Sequence, residues 1–131
     1  MKFGYTIVYV ANVSASLAFF ERAFGFPIRF EHESGDYGEL DTGETTLGFA
    51  AHALGATNLL AGYVAADTSP QPLGMELAFV TENICEAHAR AIAAGATEIK
   101  APQTKPWGQT VSYLRCPDGT LVELCTPVTT G

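Results

Sequence analysis

One order of elements runs through this chain twice, and that repetition constrains its fold more than any other feature. Tyr5 to Val10 is β-branched or aromatic, the composition of a strand. Asn12-Val13-Ser14 then offers an N-cap, and Val13, Leu17, Phe20 and Phe24 form the apolar stripe of an amphipathic helix. Gly25 stands where a helix-ending glycine belongs. Three strand-like runs follow, Ile28–Glu33, Tyr37–Asp41 and Thr45–Ala51, separated by the turn sequences Ser34-Gly35-Asp36 and Thr42-Gly43-Glu44.

The second half repeats the plan. Met75 to Thr81 reads as a strand, and Asn83 begins a helix with Glu86 placed as in a capping box. Gly95 ends that helix, and strand-like runs follow at Thr97–Lys100, Gln109–Arg115 and Leu121–Cys125. Residues 53–74 lack clear periodicity and contain Ser69-Pro70-Gln71-Pro72, a linker composition. The expected fold is therefore α+β. Two βαβββ modules, about residues 3–52 and 75–127, form curved mixed sheets around a shared cavity within one domain spanning residues 1–131.

Charge narrows the partners. Seven basic residues against 14 acidic ones give a net charge of −7, which argues against nucleic acid or an anionic membrane. Cys85, Cys116 and Cys125 form no C-x-x-C pair, so neither a disulfide framework nor a zinc knuckle is indicated. Met1 to Tyr5 leads into a strand pattern with no secretory h-region, and the expected location is the cytoplasm. There is no glycine-rich phosphate loop and no G-x-S-x-G elbow.

Three segments carry a family resemblance: Tyr5–Val10 through Phe24-Gly25-Phe26, Glu76–Phe79 through Ala94-Gly95-Ala96, and Pro106-Trp107-Gly108-Gln109 through Pro117-Asp118-Gly119 to Leu121-Val122-Glu123-Leu124. With the duplicated order of elements, they make the chain resemble the vicinal-oxygen-chelate superfamily of glyoxalases, bleomycin-resistance proteins and extradiol dioxygenases. In metal-dependent relatives, four cavity-facing strand positions supply His, Gln or Glu ligands. The resemblance places those positions on Tyr5, about Leu47, Glu76 and Glu123. A phenol that ionises near pH 10 is a poor ligand at neutral pH, and leucine is none. Glu76 and Glu123 are thus the only metal candidates, and no metal or other cofactor is expected. His32, His52 and His88 lack ligand spacing and are expected at the surface or in hydrogen bonds, His88 on the second helix away from the cavity.

The resemblance also gives a ligand pocket. Strand alternation puts Tyr5, Ile7 and Tyr9 on one face, which the resemblance makes the cavity wall. Glu76, Tyr113 and Glu123 would line it too, with Trp107 on the loop entering the Tyr113 strand. In bleomycin-binding relatives a tryptophan on that loop stacks on the drug. The expected function is small-molecule binding, the sequestration of a planar or cationic drug-like ligand as in antibiotic resistance. A carboxylate between Val122 and Leu124 needs a polar partner, and unpaired burial would fit Glu123 to act as a general base if the chain is an enzyme. The alternative is a metal-dependent lyase, isomerase or dioxygenase of the same superfamily. Relatives of this size pair as homodimers, and a homodimer is expected here.

Overall fold

The computed structural model describes residues 1–128. Its first module is β1 (Tyr5–Val10), α1 (Val13–Phe24), β2 (Ile28–Glu31), β3 (Tyr37–Leu40) and β4 (Thr46–Ala51). A short helix, α2 (His52–Asn58), follows directly. The second module is β5 (Leu77–Val80), α3 (Ile84–Ala94), β6 (Thr97–Thr104), β7 (Thr110–Arg115) and β8 (Leu121–Cys125). Each module makes a four-stranded mixed sheet, ordered β1-β4-β3-β2 in one and β5-β8-β7-β6 in the other. The first strand of each pairs parallel with the last, and the remaining pairings are antiparallel.

Local chemistry explains the helices. The Asn12 side chain accepts the Ala15 N–H at 3.0 Å, and Gly25 closes α1 at φ 79°, a left-handed angle that costs a glycine little. Asn83 caps α3 and donates to the Glu86 carboxylate at 2.7 Å, as the capping-box spacing implies.

Two boundaries differ most from the sequence reading. His52–Asn58 is helical although it falls at the start of the expected linker, because a seven-residue helix is too short to write a periodic stripe. β6 runs on to Thr104 through Pro102, which an exposed edge strand tolerates because the missing N–H need not pair inward.

One hydrophobic core joins the modules. Val10, Leu17, Phe20, Leu47 and Phe49 from the first meet Ile84, Ala91, Leu114, Val122 and Leu124 from the second. Phe79 of β5 packs its ring against Phe20, Phe24 and Phe26, at centroid distances of 4.8–6.4 Å. The helices thus lie on the inner side, and each sheet turns its other face outward. No helix among the described residues is long and apolar enough to cross a membrane.

Candidate functional site

Alternation in β1 sends Val8 and Val10 into the core and leaves Tyr5, Ile7 and Tyr9 on the face away from the helices. Tyr5 is 59% exposed and Ile7 45%, so this face is apolar and open. In the second sheet Val122 and Leu124 are buried, and Glu123 between them faces outward. Tyr113 lies opposite Glu123 across β7 and β8 and donates its hydroxyl hydrogen to Glu123 Oε1 at 2.7 Å. This is the polar partner the sequence demanded of Glu123. Desolvation, followed by the charge of Glu123, raises the Glu76 pKa. Desolvation also raises the Cys125 thiol, with Glu123 and Glu76 adding to it. Glu76, Tyr113 and Glu123 therefore come together as one acidic group.

The first sheet carries no matching ligand. Ile7 pairs with Gly48 in β1 and β4, and Ala78 pairs with Glu123 in β5 and β8. Gly48 thus takes the place in the first module that Glu123 takes in the second. The expected position at Leu47 is off by one residue. Leu47 is 5% exposed and points into the core, because the one-residue step that separates strand faces puts it beside Phe49 rather than beside Glu123's counterpart. A Cβ on Gly48 would fall 2.7 Å from the Tyr37 hydroxyl, so Tyr37 fills the space a ligand side chain would need. Tyr37 in turn donates to Glu39 Oε2 at 2.8 Å, and Arg29 pairs with Glu39 at 3.6 Å. Among the described residues no group of three or more His, Cys, Asp or Glu is placed to hold a metal ion. Tyr5, Gly48, Glu76 and Glu123 do not fit the divalent ion of metal-dependent relatives.

A cavity of about 250 Å³ opens between β1 and the start of β5. Ile7, Val8, Met75 and Leu77 line it from the modules, and Leu59, Val64 and Leu73 from the bridging segment. Its polar groups include Glu76, Tyr9 and Tyr63. The segment is fastened by Arg115, which donates to the Ala66 and Ser69 carbonyls at 2.8 Å each.

The bridging segment also brings in residues the sequence did not reveal. Tyr63 stacks on Tyr9 with centroids 4.9 Å apart, and its hydroxyl lies 2.6 Å from His52 Nδ1. The other nitrogen, Nε2, lies 3.1 Å from Asp67 Oδ2. Nothing in residues 53–74 announces this, because the contacts join a helix start to two irregular positions that share no periodicity.

Of the expected cavity residues, Tyr5, Tyr113 and Glu123 are not among those lining this cavity, and the remaining candidates lie elsewhere. Trp107, 64% exposed at the β6–β7 turn, donates its indole N–H to Gln109 Oε1 at 2.9 Å and is not among the cavity's lining residues. His32 bonds Ser34 within a turn. His88 is buried on α3 between Ser112 and Glu98.

Known proteins of the same shape share this plan. A glyoxalase/bleomycin resistance protein/dioxygenase family enzyme from Burkholderia phytofirmans PsJN is 26% identical, with a TM-score of 0.81 over 98% of this chain and 100% of that one. A glyoxalase-related enzyme from Fulvimarina pelagi matches with a TM-score of 0.81 at 18% identity, covering 97% of this chain and 88% of that one. TioX from Micromonospora sp. ML1 gives a TM-score of 0.68 at 19% identity over 96% of this chain and 98% of that one. No match was found among curated proteins. The sequence model of one family covers residues 2–124, nearly the whole chain. The chain belongs to the Glyoxalase/Bleomycin resistance protein/Dioxygenase superfamily.

Proposed function

We propose that this chain is a small-molecule-binding protein that holds a planar or cationic ligand between its modules without a metal ion. The apolar cavity with Glu76 in its wall is the observation that carries the reading. Apolar walls with a few placed polar groups are the usual make-up of a small-molecule site. Glu76 and Glu123 repel each other electrostatically, and a cation between or beside them relieves that repulsion. The free thiols of Cys85, Cys116 and Cys125 are compatible with a reducing cytoplasm.

A calorimetric titration with benzylamine, a cation at neutral pH, and its uncharged analogue benzyl alcohol tests this. Benzylamine is expected to bind more tightly, and Glu76→Gln to weaken it about three- to fivefold, the scale of a partly exposed ion pair, while leaving benzyl alcohol unchanged. If neither compound binds at millimolar concentration, the binding reading fails.

The proposal extends to assembly as a homodimer. Tyr5, Ile7 and Phe30 present apolar surface on the outward face of the first sheet, where Phe30 meets Tyr37, and the indole of Trp107 is open as well. A second copy is the occupant that suits such a face, since two chains of one kind can cover matching faces with a single self-complementary interface. Light scattering is expected to give twice the chain mass, and Ile7→Glu to shift it toward the monomer. A monomer at high micromolar concentration would remove this part.

A further inference from the structure

Two histidines in this fold are held at both ring nitrogens. For His88, Ser112 Oγ lies 2.9 Å from Nδ1 and Glu98 Oε1 lies 2.7 Å from Nε2. Ser112 is fully buried, so no ligand reaches its hydroxyl and this arrangement is structural. His52 is held in the same way by Tyr63 and Asp67, but Tyr63 lines the cavity. That difference leaves only the His52 network with a member on the cavity wall.

The tautomer follows from the partners. An ionised Asp67 only accepts, so His52 carries its hydrogen on Nε2 and leaves Nδ1 to accept the Tyr63 O–H. Among the described residues Asp67 Oδ1 is buried with no hydrogen-bond partner, so no competing donor there draws the carboxylate from the ring. The order of reacting hydroxyl, base and orienting carboxylate is the general arrangement that lets a side chain take up a proton. Desolvation, with Tyr9 and Asp67 nearby, raises the Tyr63 phenol. A free tyrosinate is therefore disfavoured, and the departing proton must be replaced as it leaves.

We infer that Tyr63, His52 and Asp67 form a proton relay acting on a small, largely apolar ligand that carries an acidic O–H, a phenol or an enol, in the cavity between β1 and β5. The inference rests on the cavity being the binding site. The ligand's hydroxyl proton passes to Tyr63 Oη as the phenolic proton of Tyr63 passes to His52 Nδ1. The ligand becomes an oxyanion that accepts a hydrogen bond from Tyr63, and Asp67 balances the imidazolium. Two protons move together, the net result is one proton passed from the ligand to His52, and no bond to carbon changes. Tyr63 is the residue that touches the ligand, whereas His52 and Asp67 are positioning residues. Leu59, Val64 and Leu73 keep the rest of the ligand in apolar surroundings. The titratable and charged groups around the relay are Tyr9, Asp118, which lines a second pocket with Asp67, Arg115, which holds the Ala66 carbonyl next to Asp67, and Glu76 across the cavity, whose negative charge opposes the oxyanion.

The test uses para-nitrophenol, whose visible absorbance reports its ionisation, titrated across neutral pH with and without excess protein. Bound probe is expected to stay ionised at proton concentrations about tenfold higher than free probe. Tyr63→Phe keeps the ring stacked on Tyr9, so it should still bind the probe but lose the shift. His52→Gln and Asp67→Asn should lose most of it, and Asp67→Glu should recover part, which a merely structural role would not produce. If para-nitrophenol binds and Tyr63→Phe shows the same shift, the relay is overturned while the binding reading stands. If the wild-type protein does not bind the probe at all, the relay falls, and the benzylamine titration decides the binding reading separately. Circular dichroism of each variant separates loss of fold from loss of relay, and Tyr63→Phe decides the matter where His52→Gln fails to fold.

Discussion

Tyr113 and Tyr37 each give their hydroxyl hydrogen to a glutamate, one on each sheet. For Tyr113 the bond to Glu123, then desolvation, then the charges of Glu123 and Glu76 push the phenol up to about 12. Burial first, then Glu39, raises Tyr37 as well. An unfolded phenol ionises near pH 10, so above that pH the unfolded state gives up its proton before the folded one does. The stability from Tyr113 is fully present below pH 10 and is lost as pH rises toward about 12. Denaturation across that range should show a shallower fall for Tyr113→Phe than for the wild type, and shallower still for Tyr37→Phe with Tyr113→Phe. Glu76 follows the same sign at lower pH. Its raised carboxyl pKa means that ionisation opposes folding, so Glu76→Gln should raise the melting temperature at neutral pH, with the gain vanishing in acid where both states are protonated. A lower melting temperature for Glu76→Gln at neutral pH would contradict this. Glu123 was legible as a residue needing a partner, because an acid between apolar neighbours is costly on its own. Its partner was not legible, since pairing across β7 and β8 depends on a register that sequence does not display.

At the level of elements, the β7–β8 turn and the bridging segment depend on each other. Gly119 adopts φ 90°, and a Cβ there would collide with the Ala66 backbone. Arg115 of β7 holds the same stretch through the Ala66 and Ser69 carbonyls. Gly119→Ala therefore meets both a disfavoured backbone angle and a steric clash, and is expected to cost about 2 kcal/mol or more in urea denaturation. Because Gly119 lines the cavity, the same change should weaken benzylamine binding. A variant as stable as the wild type would show that the segment yields freely. Pro117-Asp118-Gly119 was readable as a turn, but its role as a seat for a segment some fifty residues earlier was not. Turn chemistry is local, and seating depends on what folds above it.

At the scale of the whole molecule, Phe79 ties the modules together through Phe20, Phe24 and Phe26. Phe79→Ala should cost about 2–4 kcal/mol, the range for losing a large, partly buried ring. Since one core serves both modules, the loss should lower a single transition rather than split it in two. Two separate transitions, followed by hydrogen exchange in each sheet, would show independent modules. The sequence by itself determined the two βαβββ modules, the strand faces of β1 and β8 and the helix caps. Each of these follows from interactions between residues a few positions apart, whose periods of two and about 3.6 are visible in one dimension. Only the tertiary structure decided that Gly48 rather than Leu47 is the counterpart of Glu123, that Tyr37 fills the space beside it, and that Tyr63 of the cavity wall meets His52, which Asp67 holds in turn. Those outcomes depend on strand register and on the path of an aperiodic segment. Both are selected by packing between residues distant in the chain, for which neighbouring residues carry no signal.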